Sequence, residues 1–197
     1  MKILDKHEIV SFENDQLILV NNEDVSVGKM AKIECHLGSG HLHRGFSVFV
    51  FNAAGEVLLQ RRSASKMLWP LYWSNACCSH PRYGESDTSA AHRRLREELG
   101  IRAELDFIYK FVYRAEYENI GVEHEMCSVW IGMAEAADVR VNENEISDWK
   151  FVSMDKLEKD LKTSPDTFTP WMKLEWLRLK NEFATLCPPR WQKRHES

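Results

Sequence analysis

The feature of this sequence that most restricts its fold is a helix with matched start and stop signals. Residues 85–99, "ESDTSAAHRRLREEL", open with Ser86 and Asp87, which favour a helix N-terminus, and continue with Ala, Leu, Arg and Glu. Gly100 follows directly, and glycine is the residue type that most often ends a helix. The segment therefore predicts a helix in the middle of the chain.

Strand-like segments lie on both sides of this helix. The apolar run at 45–51, the turn "NAAG" and the run at 56–62 predict a β-hairpin. Residues 107–117 and 124–134 predict a second pair of strands, and residues 145–153 predict another short one. Strands and helices mix without regular alternation. The sequence therefore predicts an α+β fold with α-β-α layers, in which helices flank a mixed sheet.

Two further helices are predicted near the C-terminus, at 154–162 and at about 169–186, the second with Pro170 in its first turn. A chain of 197 residues suits one domain of ordinary size. We expect a single domain over 1–197. Its N-terminal extension, about residues 1–30, is expected to form an edge strand pair or a cap on the site.

Composition excludes several classes of function. The formal net charge of −4 argues against a general nucleic-acid binder. No apolar run approaches the roughly 18 residues that a membrane helix needs. The N-terminus is charged throughout and resembles neither a secretory signal nor a transit peptide. We therefore expect a cytoplasmic protein without a nucleic-acid or membrane partner.

Residues 73–86, "WSNACCSHPRYGES", place Cys77, Cys78 and His80 close together. Three interpretations compete: half of a structural zinc site, one end of a disulfide, or a reactive thiol beside a metal-binding imidazole. The chain has five cysteines, an odd number, and no second cysteine pair that would complete a zinc site. Free thiols in a reducing compartment are therefore favoured.

The end of the predicted helix carries a dense set of charges. Glu97 and Glu98 follow Arg93 and Arg94 within about one turn. Carboxylate oxygens suit magnesium and guanidinium groups suit phosphate, so the set is compatible with a magnesium–diphosphate site. The alternative is an exposed helix face with ion pairs between residues four apart, and the pattern alone favours this alternative.

Histidines and glutamates elsewhere form a second group of candidates. They are His36, His41, His43, His80, Glu123 and Glu125. On a strand, Glu123 and Glu125 point to the same face, so two carboxylates and several imidazoles can close around one divalent metal. Such a mixture of nitrogen and oxygen ligands is compatible with zinc, manganese or magnesium. For any single histidine, a surface or hydrogen-bonded side chain is the alternative.

The charged helix belongs to a longer pattern that begins before it. From Ser79 through Glu85 to "RRLREELGI", the chain resembles the Nudix box, G-x5-E-x7-R-E-U-x-E-E-x-G-U. Two positions depart from it: Ser79 replaces the first glycine, and Arg94 replaces the first glutamate of the REUxEE run. The second change removes a carboxylate on which ordinary Nudix hydrolysis depends.

Further motifs make the resemblance more specific. In chain order, "HLHRGFSVFVFN", "LLQRRSASKMLWP", "WSNACCSHP", the altered box, "YRAEY" with "GVEHE", and "TPWM" resemble the type 1 isopentenyl-diphosphate isomerases, which are Nudix-fold enzymes. The resemblance runs from about Lys32 to Trp171. It implies conversion of isopentenyl diphosphate to dimethylallyl diphosphate by a shift of a double bond, in isoprenoid biosynthesis.

The resemblance also implies roles for individual residues. Cys78 matches the catalytic cysteine, Glu125 the catalytic acid, and Tyr113 a tyrosine that hydrogen-bonds near it. The implied ligands of an active-site magnesium, manganese or zinc ion are His36, His43, His80, Glu123 and Glu125. His41 is left out as a loop histidine, and Cys77 is interpreted as a packing residue.

The same resemblance implies how a substrate is held. Glu98 matches a glutamate associated with a second magnesium ion, which comes with the diphosphate. The implied diphosphate-binding residues are Lys32, Arg62, Lys66 and Arg94. Trp171 matches an aromatic residue of the isoprenyl pocket, and its face could stabilise a cation by about 0.5–2 kcal/mol. The implied partner is a small isoprenyl diphosphate, and we expect a monomer or a weak homodimer.

Moving an unactivated double bond requires one group to add a proton and another to remove one, and Cys78 and Glu125 suit these two tasks. Which of them donates is not readable from the sequence. Three alternatives stay open: a Nudix hydrolase of an organic or nucleoside diphosphate, a binding module without catalysis, and a structural zinc protein. Chelators would unfold only the last of these.

Overall fold

A mixed β-sheet of nine strands forms the centre of the protein within residues 7–186, the part of the chain that this computed structural model describes, with side chains to residue 182. The strands are β1 (Gln16–Val20), β2 (Ser26–Ala31), β3 (His43–Phe51), β4 (Val57–Arg62), β5 (Trp73–Asn75), β6 (Cys77–Ser79), β7 (Leu105–Tyr117), β8 (Gly121–Met133) and β9 (Ile146–Val152). The helices are α1 (Lys32–His36), α2 (Asp87–Leu99), α3 (Met154–Thr163) and α4 (Pro170–Leu186). The prediction of a mixed sheet with flanking helices is confirmed.

Strand β3 organises the sheet. It runs parallel to β8 along its whole length, from the pair His43 and Glu125 to the pair Phe51 and Met133. It also pairs antiparallel with β6 and with the end of β1. The strand thus brings together segments that lie far apart in the sequence.

The predicted hairpin of β3 and β4 is correct only at its turn. The two strands pair antiparallel through Phe51 and Val57 and then separate. Strand β4 continues between β9 and β5 instead. The local pattern identified both strands. It did not identify their partners, because β8 and β6 pair with the two edges of β3 and leave β4 only the turn.

The two faces of β3 pack against different helices. Phe46, Val48 and Val50 join a core cluster that contains the apolar side of α2. Phe49 and Phe51 join the other cluster, which contains the buried side of α4. Alternate side chains of a strand point to opposite faces, so these assignments give the α-β-α layers that the sequence predicts.

Helix α2 confirms the strongest local prediction. The Ser86 side chain accepts a hydrogen bond from the backbone N–H of Ser89, which caps the N-terminus. Gly100 ends the helix in the left-handed conformation, at φ 72°. A side chain there would be strained, and its Cβ would also lie 2.8 Å from the Cβ of Arg140. Both ends of the helix are therefore defined by local interactions.

Residues 7–31 contribute a strand pair and a contact with Arg94. Strands β1 and β2 form an antiparallel pair at one edge of the sheet. The segment before β1 lies over the site, where the carbonyl of Val10 accepts a hydrogen bond of 2.8 Å from Arg94. That 1–197 forms one domain stays a prediction, because residues 1–6 and 187–197 lie outside the described residues. Within the described part of the chain, no helix combines the length and apolarity needed to cross a membrane.

Candidate active site

A cavity of about 350 Å³ collects most of the predicted site residues. Those that line it are Lys32, His36, Arg62, Lys66, Cys78, His80, Arg94, Tyr113, Glu123, Glu125 and Trp171. His43 and Glu98 do not line the cavity, and both are almost completely buried. The residues come from elements across the whole described chain, so the fold brings these separate motifs to one place.

Strand register sets the centre of this cavity. His43 on β3 is directly opposite Glu125 on β8, and Glu125 is opposite Tyr113 on β7. Ser47, four residues along β3 from His43, is opposite Cys78 on β6. Because directly opposite residues of neighbouring strands lie about 4.5–5.5 Å apart, this register places the imidazole of His43, the carboxyl of Glu125 and the phenol of Tyr113 side by side. The Cys78 thiol lies beside a position four residues further along β3.

Three imidazoles form a compact cluster at one end of the cavity. The ring centroids of His36, His43 and His80 lie 4.9–5.2 Å apart. One donor atom from each of them and one from Glu123 all fall within 4.8 Å of one another. Three nitrogens and a carboxylate oxygen at this spacing form a cluster that is compatible with a divalent metal ion.

The imidazoles are oriented with one nitrogen towards the cluster. Nδ1 of His36 lies 2.6 Å from the carbonyl of Lys32, and Nδ1 of His43 lies 2.7 Å from the carbonyl of His41. A carbonyl only accepts, so each Nδ1 carries a proton and the Nε2 atom of each ring is the nitrogen on the side away from that carbonyl. His41 itself is exposed and contributes its backbone, which agrees with leaving it out of the ligand set.

His43 provides the test of whether the cluster fits a metal. Its Nε2 atom is buried and has no hydrogen-bond partner among the described residues. Burial and the neighbouring His80 and His36 lower the pKa of His43 well below its usual value, so the ring is neutral. A buried nitrogen lone pair without a donor is costly unless a cation occupies the position that it faces. The donor set therefore fits a divalent ion.

The two glutamates of "EHE" differ in their surroundings. Glu123 accepts from His36 Nε2 at 2.9 Å, and although burial opposes ionisation, His36 and His80 hold its pKa well below the usual range. Burial and the charge of Glu123 instead raise the pKa of Glu125. Neighbouring carboxyls with opposite shifts are typical of acid–base sites. Here they make Glu125 the carboxyl better suited to carry a proton.

Glu125 is held on several sides. Its Oε2 accepts a hydrogen bond of 3.0 Å from the Tyr113 hydroxyl, and its Oε1 lies 2.7 Å from His80 Nε2. Gly45 faces the carboxylate from β3, and a Cβ at that position would overlap with both carboxylate oxygens. Position 45 therefore has no room for a side chain while Glu125 is in this place. Glu125 lies outside the set of four donors within 4.8 Å, but it contacts His80, a member of that set.

Cys78 lines the same cavity and lies in a dense group of hydrogen bonds. Its thiol donates to Asn75 Oδ1 at 2.8 Å, and the indole N–H of Trp171 approaches its sulfur at 3.1 Å. The hydroxyls of Ser47 and Ser74 lie 3.5 and 3.6 Å from it. Burial raises the pKa of Cys78 to about 12, so the sulfur is a thiol at neutral pH.

Asn75 was not predicted, although it holds the thiol. Its Nδ2 donates to the carbonyls of Val48 and Cys77, which leaves Oδ1 facing the sulfur. The amide orientation therefore follows from the backbone around it. An asparagine in a loop-like sequence is common, so no local signal distinguished it.

Arg62 has a different environment from the one that the resemblance implied. Its guanidinium donates to the carbonyls of Trp69 and Leu68 at 3.1 and 2.9 Å and lies 5.3 Å from the ring of Trp171. Arg62 therefore lines the cavity and also fixes the backbone of residues 68 and 69 in its wall. Trp171 is likewise more than an aromatic surface, because its N–H reaches Cys78.

The part of the cavity lined by Lys32, Lys66 and Arg94, its cationic end, is balanced by a buried carboxylate. Glu145 forms ion pairs with Lys66 and, at 3.1 Å, with Arg94. Burial opposes its ionisation, but Lys66 and Arg94 lower the pKa of Glu145 to about 2. Glu145 was also missed by the sequence analysis, since a single glutamate before a strand carries no specific signal. It keeps two diphosphate-binding candidates in place.

Comparison with known proteins agrees with this architecture. A Deinococcus radiodurans protein of known structure superposes with a TM-score of 0.63 at 22% identity, covering 76% of this chain and 90% of that one. A MutT protein from Methanosarcina mazei gives 0.59 at 22% identity, covering 72% and 94%. At these identities the similarity supports the fold alone. The NUDIX domain family model matches residues 41–172.

Sequence relatives are closer. The isopentenyl-diphosphate Delta-isomerase 1 of Photorhabdus laumondii is 41% identical over 176 residues, which cover 88% of this chain and 99% of that protein. The isopentenyl-diphosphate Delta-isomerase 1 of Aromatoleum aromaticum is 44% identical over 158 residues, covering 80% and 88%. This chain belongs to the isopentenyl-diphosphate Delta-isomerase family.

In this family member, the carboxylates of the altered Nudix box are engaged in ion pairs. Arg94 contacts Glu98 at 2.8 Å and Glu97 at 3.2 Å, and Arg93 contacts Glu85 at 2.7 Å. Arg94 is only 2% exposed. It therefore stands inside the acidic cluster, and does not extend from a solvated helix face as the alternative interpretation would require.

The structure of this isomerase-family member bears on the three interpretations of Cys77, Cys78 and His80. Cys35, Cys77, Cys78 and Cys127 are free thiols in the structure, and Cys187 lies outside the described residues. No cysteine belongs to the His/Glu donor set that the described residues form. Cys77 is buried in the core beside α2, which is where a packing residue belongs.

Proposed function

We propose that this protein converts isopentenyl diphosphate to dimethylallyl diphosphate by protonating one carbon and deprotonating another. The observation that carries the proposal is the content of a single cavity. Cys78 and Glu125 are two proton-carrying groups of one small pocket, which has a His/Glu cluster in its wall and the cations Lys32, Lys66 and Arg94 in the same lining. The names of the relatives support the same reaction for this chain.

The two acid–base groups are Cys78 and Glu125. One adds a proton to the terminal carbon of the double bond, and the other removes a proton from the carbon on the far side of the cation so formed. Tyr113 donates a hydrogen bond to Glu125 and stabilises its ionised form. Asn75 Oδ1 accepts a hydrogen bond from the Cys78 thiol and orients it. Which of Cys78 and Glu125 adds the proton and which removes it stays open.

We propose that His36, His43, His80, Glu123 and Glu125 hold a divalent ion, namely magnesium, manganese or zinc. When bound, the ion supplies positive charge that favours the ionised form of Glu125. The fit of the cluster is supported by the buried Nε2 of His43, which has no hydrogen-bond partner within the described part of the chain. A second magnesium ion is proposed to come with the diphosphate, next to Glu98.

The cationic end is proposed to bind the diphosphate through Lys32, Lys66 and Arg94, with Arg62 beside them. Arg94 stands where Nudix hydrolases carry a glutamate, so the site exchanges a metal-binding carboxylate for a phosphate-binding guanidinium. This exchange favours holding the diphosphate over cleaving it. The substrate is thus a small isoprenyl diphosphate.

Trp171 and the cavity walls are proposed to protect the cationic state. Water would trap that state as an alcohol, so the pocket must exclude it. Val10 lies against Arg94, and Ser11 accepts a hydrogen bond of 2.9 Å from Lys32, so the N-terminal segment covers the diphosphate end. A cytoplasmic location and a monomeric or weakly dimeric state stay predictions.

A two-readout assay tests the proposal. Purified protein is incubated with isopentenyl diphosphate and magnesium, manganese or zinc, and both dimethylallyl diphosphate and released phosphate are measured. Isomerisation without phosphate release is the expected result. Phosphate release from a panel of organic and nucleoside diphosphates, without isomerisation, would establish the hydrolase instead. Neither product, from folded protein with metal bound, would support a binding module.

A further inference from the structure

Ser74 is a buried serine for which the proposed reaction gives no role. It lies on β5 and is 0% exposed. Its hydroxyl oxygen lies close to four side-chain atoms: Asn75 Oδ1 at 3.0 Å, Thr169 Oγ1 at 3.0 Å, Trp171 Nε1 at 3.1 Å and Cys78 Sγ at 3.6 Å. Two of these neighbours, Asn75 and Trp171, are also the nearest hydrogen-bond partners of the Cys78 thiol.

The hydrogen bonds of this hydroxyl have one consistent assignment. The side-chain amide of Asn75 donates to two backbone carbonyls, so its Oδ1 atom faces Ser74 and only accepts. Ser74 therefore donates its single proton to Asn75, which leaves its two lone pairs to accept from Thr169 and Trp171. The hydroxyl has no second proton for Cys78, and the thiol proton goes to Asn75 as well.

These bonds form a closed ring that includes the sulfur. The Trp171 N–H lies 3.1 Å from both Ser74 Oγ and Cys78 Sγ, so it is shared between them. Asn75 Oδ1 accepts from the same two residues, at 3.0 and 2.8 Å. Ser74 is thus the second partner of both groups that contact the thiol most closely, and its hydroxyl keeps each of them directed at the sulfur.

Thr169 connects this ring to the start of α4. It directly precedes Pro170, the first residue of that helix, and is 0% exposed. Its backbone N–H donates to the carbonyl of Trp73 at 3.0 Å, and its hydroxyl reaches Ser74 on the same strand. Two hydrogen bonds thus join β5 to the segment that carries Trp171. The position of the indole relative to the thiol therefore depends on a contact made two residues before the tryptophan.

The surroundings of Thr169 are otherwise apolar. Phe168 and Met172, at the start of α4, belong to the hydrophobic core. A polar group buried among such residues is costly unless its hydrogen bonds are satisfied. Ser74 and Thr169 satisfy each other, and the one reactive group in their cluster is the thiol of Cys78. The arrangement therefore points to the positioning of that thiol.

We propose that Ser74 is a positioning residue for the Cys78 thiol. Together with Thr169, it keeps Trp171 and Asn75 directed at the sulfur. No part of Ser74 is exposed, so it acts through these neighbours and does not contact a substrate.

The inference rests on the proposed isomerisation, in which Cys78 exchanges a proton with one carbon of the substrate. Such an exchange needs the sulfur about 3–3.5 Å from that carbon and correctly aligned. A cysteine side chain has three staggered rotamers, and only one of them keeps the contacts described here. Hydrogen bonds that fix this rotamer therefore raise the fraction of bound substrate that can react.

Substitutions at both ends of the bond between Ser74 and Thr169 test this role. Thr169→Val keeps the shape of the side chain but removes the hydroxyl, whereas Thr169→Ser keeps the hydroxyl. Ser74→Ala removes the hydroxyl at the other end. The matched control is Ser128→Ala on β8. Ser128 is also 0% exposed and also accepts from an indole N–H, that of Trp130 at 3.0 Å, but Trp130 belongs to the core cluster of α2.

We expect Ser74→Ala and Thr169→Val to lower kcat about 3- to 10-fold, while KM for isopentenyl diphosphate changes less than about 2-fold. Thr169→Ser and Ser128→Ala should stay within about 2-fold of wild type. Thermal melting of each variant accompanies the kinetics, with kcat expressed per folded protein. A merely structural role would lower the melting temperature and leave this kcat unchanged.

The indole N–H signals give a second readout that does not depend on turnover. In a proton–nitrogen correlation spectrum, the Trp171 signal is identified by its absence from Trp171→Phe. It should move upfield in Ser74→Ala, because the N–H loses its oxygen acceptor. Ser128→Ala should leave the Trp171 signal in place and move that of Trp130.

A kcat for Ser74→Ala equal to wild type, or equal kcat values for Thr169→Val and Thr169→Ser, would overturn the inference. An unmoved Trp171 signal in Ser74→Ala would do the same. If Ser74→Ala does not fold, the two Thr169 variants decide. Wild-type protein that makes no dimethylallyl diphosphate would instead overturn the proposed function, and the spectra would still test the hydrogen bonds.

Discussion

The indole N–H of Trp171 lies 3.1 Å from the Cys78 sulfur and 3.1 Å from the Ser74 hydroxyl. The tryptophan therefore acts on the proton-carrying thiol as well as on the pocket surface. Trp171→Phe would keep an aromatic face but lose the donor. We expect kcat to fall roughly 5- to 10-fold, the worth of about one hydrogen bond, with KM nearly unchanged. Steady-state kinetics check this, and an unchanged kcat would reduce Trp171 to a wall of the pocket.

Metal binding should depend on His43 and not on His41. Among residues 7–182, whose side chains are described, Nε2 of His43 finds no hydrogen-bond partner, whereas the carbonyl of His41 accepts from Nδ1 of His43. In His43→Asn, affinity for added zinc or manganese should fall at least about 10-fold, because one of the donors is lost. His41→Asn should bind as wild type does. Calorimetric titration of metal-stripped protein measures both. Equal affinities in the two variants would refute the assignment of the cluster.

Gly45 should be required for activity although it makes no side-chain contact. A Cβ at this position would overlap with the Glu125 carboxylate, so Gly45→Ala should displace that group and reduce kcat/KM by about 100-fold or more. Gly132→Ala, on β8, is the control, because its Cβ would meet the flexible end of Leu105 first. Thermal melting and kinetics of both variants separate lost folding from lost activity. Comparable activity in the two variants would contradict this account of Gly45.

Stability at acidic pH should report the buried Glu145. Its pKa is about 2 in the fold against an ordinary value of 4.5, since Lys66 and Arg94 outweigh the effect of burial. A depressed pKa means that its ionised form stabilises the fold fully above about pH 4.5. This contribution is then lost as the pH falls towards 2.

Glu145→Gln should therefore lower the free energy of unfolding by roughly 3 kcal/mol at pH 7, and the deficit should shrink between about pH 4.5 and 2. Glu143→Gln, at a side chain that is 50% exposed, should change it by less than about 0.5 kcal/mol. Urea unfolding at several pH values measures these differences. A deficit that stays constant down to pH 2 would show that the charge of Glu145 is not what stabilises the fold.

Sequence patterns were sufficient for the elements whose signals are local. The caps of α2, Ser86 and Gly100, and the proline at the start of α4 define helix ends without help from the rest of the chain. The alternation of Glu123 and Glu125 on a strand also correctly placed both carboxylates beside the imidazole cluster. These features depend on backbone geometry within a few residues.

The rest depends on pairing between distant strands, which local patterns do not encode. The hairpin of β3 and β4 was predicted along its length, yet β3 pairs with β8, about eighty residues away. That register places His43 opposite Glu125. Asn75 and Glu145 were missed for a related reason. A single amide or carboxyl has no periodic signal, and its importance appears only when the fold buries it next to a thiol or a cation.

The measurement that most directly tests the central claim is proton NMR of isopentenyl diphosphate incubated with metal-loaded protein in deuterated water. Wild type, Cys78→Ala and Cys77→Ala are compared, the last as a control for removing a buried thiol next to the site. We predict deuterium-labelled dimethylallyl diphosphate from wild type and Cys77→Ala, and unchanged substrate from Cys78→Ala. Unchanged substrate with folded wild type, or labelled product from Cys78→Ala at the wild-type rate, would contradict the proposed proton transfer.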